Sequence, residues 1–390
     1  MKTSLDRTET AISHAAGLPE RQTLERAFDL CVRKVRGNIN RLADKPKSAA
    51  WALDGNFFDF NEGFFEIGNW TSSFFTGMSL LAWQQTEDEY FLEQTLRLAP
   101  AYREKAAVRF LDMHHDAGFL YTLYSVALYK LTGDKAHRAV GLAAAEALYQ
   151  RFNHTGGYIR AWGRLDTAEH ANMAIIDCMM NLPLLFWATL ESGDCKYHDA
   201  AVRQADTTLK CFVRPDDSVF HAFRFDLGTG RPIGGDNYCG GSVDSHWARG
   251  TAWAIYGFAL AHKYTQDARY LAAASRIALK FLSLLDREVV PVWDFRLPPG
   301  VPVVRDSSAL AVAVCGLMEL AKQGGEDSKF FHATRPMLMR LCADDYLNFD
   351  LNCPGILKSA YGDKPAYSSW GDYFLMEALD RELHRNETFW

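Results

Sequence analysis

The chain has 390 residues, of which 48% are hydrophobic and 23% are charged, and its formal net charge at pH 7 is −6. These values are typical of a globular protein with a large core. They argue against nucleic acid or an anionic membrane as a partner, because no run of lysine and arginine offsets the negative charge. We see no apolar stretch of membrane-spanning length and no apolar segment of a secretory signal.

The eight cysteines are scattered along the sequence, without a Cys-x-x-Cys pair or a histidine spacing that indicates zinc. Reduced thiols are typical of proteins in reducing compartments, so we expect a cytoplasmic protein. We expect neither a metal nor a cofactor. The sequence leaves the oligomeric state open.

Apolar helical segments alternate with short polar breaks along the chain. The breaks end near residues 88, 134, 194, 267 and 327, and they contain the Gly, Thr and Asp residues that cap helix ends. Each break therefore predicts the turn of an αα-hairpin. The flanking segments predict helices over 19–43, 70–86, 88–109, 117–132, 134–153, 170–192, 196–214, 246–264, 266–285, 306–322, 327–347 and 368–384.

Hairpins that repeat at spacings of roughly 45–75 residues indicate a solenoid or a closed ring. The first helix of each pair is the more apolar one on all sides, which favours an inner and an outer ring. The polar end caps of an open solenoid are not apparent. The predicted fold is therefore all-α: one (α/α)6 barrel built from six αα-hairpins over residues 1–390, with 1–18 as an N-terminal extension.

Two aspartates lie at or near the start of apolar helices, Asp116 in HHDAGFLY (114–121) and Asp177 in AIIDCMMNLP (174–183). A carboxylate there meets unpaired backbone N–H groups, while apolar neighbours raise its pKa. Two such groups facing one pocket suit acid/base chemistry on a sugar. The alternatives are an ordinary helix cap for Asp177 and an ordinary turn for Asp116.

Three longer loops, over residues 153–163, 217–223 and 291–295, connect outer helices to inner ones. In a barrel of this kind they lie on the rim that carries the N-termini of the inner helices. Both aspartates project onto the same rim, so we expect the site there.

Several separated blocks resemble the unsaturated glucuronyl hydrolases of glycoside hydrolase family 88, over roughly residues 65–385. The blocks read GNWT (68–71), HDAGF (115–119), IID (175–177), NLP (181–183), SHWARGTAW (245–253), RDSSA (305–309) and WGDYFLMEAL (370–379). The resemblance implies release of a terminal 4,5-unsaturated uronic acid from lyase-generated oligosaccharides of glycosaminoglycan type. It also implies acid-catalysed hydration of an enol ether rather than direct displacement at the glycosidic bond.

The resemblance gives roles to three charged residues. Asp177 is implied to be the acid/base and Asp116 to assist it by orientation and electrostatic stabilisation. Arg249 is implied to clamp the substrate carboxylate, for which its planar fork is suited. Its place between Trp247 and Trp253 also fits a structural cation–π contact.

Five further residues are implied to bind the substrate. His115 and His221 match family positions near the unsaturated ring, and we expect them to contact sugar hydroxyls; a lone histidine more commonly has a structural role. Trp70 and Trp162 are implied to form stacking walls, with core packing as the alternative. Trp253, one turn beyond Arg249, is expected to face the same pocket.

Two departures from the family pattern leave the aglycone and its sulfation open. Residues 237–241 read NYCGG, where relatives often have a Gln, so a polar contact is missing or comes from Asn237. Residues 359–364 read SAYGDK, with Gly362 in place of the second Ser of a Ser-x-x-Ser-x-Lys sulfate motif.

Three other functions remain open from the sequence. An unsaturated rhamnogalacturonyl hydrolase has the same barrel and chemistry with a pectin-derived aglycone, but the blocks around Arg249 and Trp370 argue against it. A sugar isomerase or epimerase on this barrel relies on histidine bases. A non-catalytic carbohydrate-binding protein uses the aromatic rim alone and needs no desolvated acid.

Overall fold

The computed structural model describes residues 20–42, 48–58, 70–108, 110–324 and 328–390. Its α-helices are α1 (Glu20–Leu42), α2 (Ser72–Thr86), α3 (Glu89–Leu96), α4 (Ala99–Val108), α5 (Ala117–Tyr121), α6 (Ala127–Thr132), α7 (Lys135–Tyr149), α8 (Leu182–Ser192), α9 (Cys195–Cys211), α10 (Ala248–Thr265), α11 (Ala268–Leu284), α12 (Ser307–Gly324), α13 (Lys329–Leu341) and α14 (Ser369–His384). A π-helical turn (Thr122–Val126) joins α5 to α6. The N-terminal extension expected over residues 1–18 lies outside the described residues.

The described helices form two concentric rings. In the inner ring, α2, the α5–α6 segment, α8, α10, α12 and α14 follow one another, and α14 contacts α2, which closes the ring. The inner helices are buried on every side, as in α10, where each residue from Ala248 to His262 is buried. The outer helices α1, α3–α4, α7, α9, α11 and α13 bury one face, as expected for amphipathic helices. The predicted (α/α)6 barrel is confirmed.

Five of the six helix pairs in the described chain are hairpins of consecutive segments. The sixth pair joins the two ends of the chain, because the last inner helix, α14, packs against the first outer helix, α1. This pair therefore joins residues that are more than 300 positions apart in the sequence.

The turns between inner and outer helices have the capping residues that the sequence predicted. Gly133 and Gly193 adopt left-handed conformations after α6 and α8, with φ of 72° and 76°. Asp134 and Asp194 follow them and accept a hydrogen bond from the backbone of the next helix. A carboxylate at this position satisfies an N–H group that has no partner within the helix.

Several predicted helices are shorter in the structure, and in two of them a proline lies near the start of an observed helix. The helix expected over 170–192 begins at Leu182, and the one expected over 88–109 is divided at Arg97. Pro183 and Pro100 are each the second residue of a helix, where the missing N–H costs nothing. Within a longer helix, either ring would clash with the preceding turn.

Short strands on one rim replace the first part of the 170–192 helix. β4 (Met173–Ile175) pairs antiparallel with β5 (Ala222–Phe225), which pairs with β6 (Pro232–Asp236). The remaining strands are β1 (Trp51–Ala52), β2 (Phe152–Asn153), β3 (Tyr158–Ile159) and β7 (Tyr367–Ser368), paired β1 with β7 and β2 with β3. The register of β4 against β5 sets Ile175 opposite Ala222, so the residues that adjoin this pair, Asp177 and His221, come together at the rim.

Candidate active site

The two aspartates occupy helical starts of different kinds. Asp116 is the N-cap residue of α5, but its side chain makes no capping hydrogen bond. Asp177 lies in a 3-10 turn (Ile176–Met180) between β4 and α8. The Ile176 N–H donates to the His221 carbonyl at 2.9 Å, which fixes this turn against the start of β5. The Asp177 carboxylate is thus held by a turn whose backbone is itself anchored.

Asp116 is paired with the histidine that precedes it. The His115 Nε2 atom lies 3.3 Å from Asp116 Oδ1, and the His115 side chain is fully buried. Burial lowers the pKa of His115, but the charge of Asp116 more than offsets this effect and raises it to about 10. Burial acts against ionisation of Asp116 as well, yet the His115 cation, with His114 and Arg151, lowers its pKa below the ordinary value. The pair is therefore an ion pair at neutral pH.

Asp177 has the opposite electrostatic character. Burial raises its pKa to about 6, with a smaller contribution from the negative charge of Asp116, while the His115 and Arg249 cations oppose the shift. Among the described residues, no group donates a hydrogen bond to its Oδ2 atom. A largely enclosed carboxyl with one oxygen that accepts no hydrogen bond gains little stabilisation of its ionised form, so its neutral form is favoured. Asp177 is therefore the carboxyl of this site that can hold a proton near neutral pH.

His221 is a neutral imidazole whose tautomer is fixed by the backbone. Its Nδ1 atom accepts from the N–H groups of Tyr238 and Cys239, at 3.1 and 3.2 Å. The proton must therefore be on Nε2, which lies 3.8 Å from Asp177 Oδ2. Burial, with the nearby Arg249 cation, lowers the pKa of His221 to about 3. His221 thus presents an N–H donor toward Asp177 throughout the neutral range.

Arg249 lies in the first turn of α10 between two indole rings. Its Cζ atom is 4.6 Å from the ring centroid of Trp247 and 4.8 Å from that of Trp370. Its Nη1 atom donates to Asp306 Oδ2 at 3.0 Å and to the Tyr361 carbonyl at 2.6 Å. Nε and Nη2 make no hydrogen bond within the described part of the chain. The guanidinium is oriented by these contacts and keeps one edge available to a ligand.

The three predicted tryptophans occupy different surroundings. Trp70 is partly buried and stacks on Trp370, with ring centroids 4.9 Å apart. Trp162 is partly buried and contacts the exposed ring of Tyr238 at 5.1 Å. Trp253 is fully buried and packs between Phe119 and Phe374 inside the barrel. Trp70 and Trp162 therefore have open surface, whereas Trp253 lies below the rim.

The structure adds residues that the sequence had not singled out. Tyr238 is 74% exposed although its backbone N–H donates a hydrogen bond to His221. Its ring is therefore open to solvent beside the ring of Trp162. Asp306 is fully buried and pairs with Arg249. Asp306 belongs to RDSSA (305–309), one of the blocks that carry the family resemblance, but nothing local in the sequence connects it to an arginine 57 positions away. The only sequence signal for Tyr238 is that it is an aromatic residue in a loop that contains glycines.

Metal-ligand clusters, membrane-spanning helices and disulfides are absent from the described residues. No group of three or more His, Cys, Asp or Glu side chains there is arranged to hold a metal ion. None of the described helices has both the length and the apolar character required to cross a membrane. All eight cysteines are free thiols.

Comparisons with known proteins agree on one family. The model of Glycosyl Hydrolase Family 88 matches residues 38–278. An unsaturated glucuronyl hydrolase from Bacillus sp. (strain GL1) is 38% identical over 335 residues, 83% of this chain and 88% of the relative. An unsaturated chondroitin disaccharide hydrolase from Streptococcus pyogenes serotype M1 is 34% identical over 383 residues, 95% of this chain and 93% of the relative. The crystal structure of an unsaturated glucuronyl hydrolase from Streptococcus agalactiae superposes with a TM-score of 0.88 at 30% identity, covering 99% of this chain and 97% of the other.

Proposed function

The chain belongs to glycosyl hydrolase family 88 and is a glycoside hydrolase, and we propose that it releases the terminal 4,5-unsaturated uronic acid from lyase-generated glycosaminoglycan oligosaccharides. One observation carries the proposal: two neighbouring carboxyls, with side chains only 12% (Asp116) and 13% (Asp177) exposed, differ in protonation, since the pKa of Asp177 is about 6 and that of Asp116 is lowered. The names of the relatives, which refer to unsaturated glucuronyl and chondroitin substrates, support the substrate class.

The proposed reaction begins with proton transfer from Asp177 to C4 of the unsaturated ring. The C4–C5 double bond supplies the electron pair, and positive charge develops at C5 and the ring oxygen. The Asp177 carboxylate then takes a proton from water as the water oxygen bonds to C5. The resulting hemiketal opens and releases the aglycone, and Asp177 ends protonated again. A carboxyl that is neutral near pH 6 suits the first step better than an exposed aspartate.

Asp116 remains ionised beside its histidine and faces the developing positive charge. A fixed negative charge in a buried site stabilises such a transition state more strongly than it does in water. We propose that His115 acts through Asp116, because its ring is fully buried and paired with that carboxylate. We assign the direct contact with a sugar hydroxyl to His221 rather than to His115, because the Nε2–H of His221 projects toward Asp177.

The binding groups then have separate tasks. Arg249 receives the substrate carboxylate on the guanidinium edge that Asp306 does not use. Trp70 forms a wall of the uronate subsite, and Trp162 with Tyr238 forms an aromatic platform for the aglycone. Trp253 supports this pocket from below through its packing in the barrel rather than through an exposed face.

The electrostatics of the histidines argue against a sugar isomerase or epimerase. Such an enzyme needs a base whose pKa lies near neutral pH. The pKa of His221 is lowered to about 3 and that of His115 is raised to about 10, so neither suits this task. A binding-only protein has no need for a carboxyl held neutral by burial.

The proposal is tested by adding unsaturated disaccharides to the protein and measuring the decrease in the ultraviolet absorbance of their conjugated alkene. Products of chondroitin, hyaluronan, heparin and alginate digestion form the panel, and pectin lyase products form the comparison. We expect turnover of at least one glycosaminoglycan product and its abolition in Asp177→Asn. Absorbance decay with the pectin products alone would select the rhamnogalacturonyl activity, and unchanged turnover by the variant would reject Asp177 as the acid.

A further inference from the structure

We infer that Asn181 is a positioning residue, whose side chain holds the turns that carry Asp116 and Asp177 in one fixed arrangement. The inference deepens the proposed function and rests on it. Asn181 is fully buried and directly precedes α8.

The side-chain amide of Asn181 forms one hydrogen bond with the turn after Asp116 and one with the turn that contains Asp177. Its Oδ1 atom accepts from the Phe119 N–H at 2.7 Å, and its Nδ2 atom donates to the Asp177 carbonyl at 3.1 Å. The amide must accept on one side and donate on the other. An aspartate at this position loses the donor, and an apolar side chain loses both groups. The bridge thus depends on an amide of this length.

The first of these bonds explains why Asp116 is free to act in the site. An aspartate at an N-cap position usually accepts from the backbone N–H two or three residues later. Phe119 is the third residue of α5, and its N–H is already bound to Asn181. The Asp116 side chain makes no capping bond of its own. Asn181 therefore caps this helix from another segment and leaves the Asp116 carboxylate to face His115 and the substrate.

Close backbone packing fixes the same contact independently. A Cβ atom on Gly118 would lie 2.3 Å from the Asn181 Cα atom, far inside van der Waals contact. Only glycine lets α5 approach the start of α8 this closely. The distance between the two aspartate turns is thereby set by backbone contact and by the amide together.

A double-mutant cycle tests the inference. Asn181→Ala leaves the Phe119 N–H without its acceptor, so the Asp116 side chain turns to cap its own helix. We expect kcat to fall at least about tenfold while KM stays within about threefold. In an Asp116→Asn background, the same substitution should lower kcat by less than about threefold, because groups that act as a unit are not additive.

The matched control is Asn38→Ala, which removes a buried asparagine that donates to the Pro354 carbonyl at 2.9 Å from an outer helix. This variant should keep the parental kcat. If Asn181→Ala does not fold, Asn181→Asp preserves the acceptor for Phe119 and adds a negative charge beside Asp177. Its kcat/KM profile should then lose activity at a higher pH than the parent, since a nearby negative charge raises the pKa of a carboxyl.

Three results overturn the inference: parental kcat in folded Asn181→Ala, an equal fall in kcat in both backgrounds, or an unshifted pH profile in Asn181→Asp. Failure of the proposed function has a different signature. In that case the parent protein itself does not consume the alkene of any unsaturated uronide in the panel.

Discussion

Asp177→Asn should stabilise the protein at neutral pH while it abolishes turnover. The pKa of Asp177 is raised by burial from 3.8 to about 6 in the folded protein. Between these two values the folded state binds the proton more tightly than the unfolded chain, so stability falls as pH rises through this window. Above pH 6 the full cost of the buried charge is present. An asparagine carries no charge and avoids that cost.

The size of the gain follows from the pKa difference. A difference of roughly two units corresponds to about 3 kcal/mol at pH 7.5, at ~1.4 kcal/mol per unit. At pH 4.5 the folded carboxyl is almost fully protonated, so only the partial ionisation of the unfolded chain counts and the gain falls to about 1 kcal/mol. With an unfolding entropy of ~2.1 cal/mol/K per residue, the corresponding rises in Tm are about 4 °C and about 1 °C.

Thermal unfolding of the parent and Asp177→Asn at both pH values measures this difference. The control is Asp194→Asn, an exposed cap of α9 at which asparagine and aspartate cap equally well. It should show no gain in Tm at either pH. A Tm for Asp177→Asn that is unchanged at pH 7.5, or a gain that is equally large at pH 4.5, would refute the argument that burial sets the protonation of this carboxyl.

The remaining predictions concern turnover, measured by alkene absorbance. In the parent, kcat/KM should fall as pH rises through about 6, because C4 protonation requires neutral Asp177. His115→Gln should move this fall to higher pH, since the His115 cation lowers the pKa of Asp177; an unmoved profile contradicts the assignment. Arg249→Lys should raise KM at least about tenfold with kcat within threefold, because a point charge cannot replace a stacked planar fork; an unchanged KM argues against the clamp. Tyr238→Ala should raise KM about three- to tenfold and Tyr238→Phe should not, and equal effects in both would exclude ring stacking on the aglycone.

The sequence predicted the barrel because its main signals are local. Apolar periodicity and capping residues such as Gly133 and Asp134 act within a few positions of each other, and they defined the hairpins correctly. The start of α8 was missed for the opposite reason. Met173–Ile175 is a strand because it pairs with residues about 50 positions later, and that partner is not visible from within the segment. Pro183 was the available local signal that the helix could not begin earlier.

The sequence predicted which residue types form the site, but it did not predict their protonation states. His115 and His221 look alike in the sequence, yet their pKa values move in opposite directions. His115 has a carboxylate beside it, whereas His221 accepts two backbone N–H groups from a loop that follows β6. The partner of Arg249, Asp306, comes from another inner helix start. These pairings depend on how the ring of helices closes, so no local pattern contains them.

Asp116 and Asp177 differ in protonation, and their shared position at helix starts does not explain this difference. A helix dipole favours the ionised form of both and cannot separate them. The separation comes from what each carboxyl contacts: Asp116 has a buried cation within 3.3 Å, while Asp177 Oδ2 is without a hydrogen-bond donor in the described chain. The ionised Asp116 in turn raises the pKa of Asp177. His115 therefore fixes the charge on Asp116, whereas burial keeps Asp177 protonated: the Asp116 charge adds to the effect of burial, and the His115 cation opposes it.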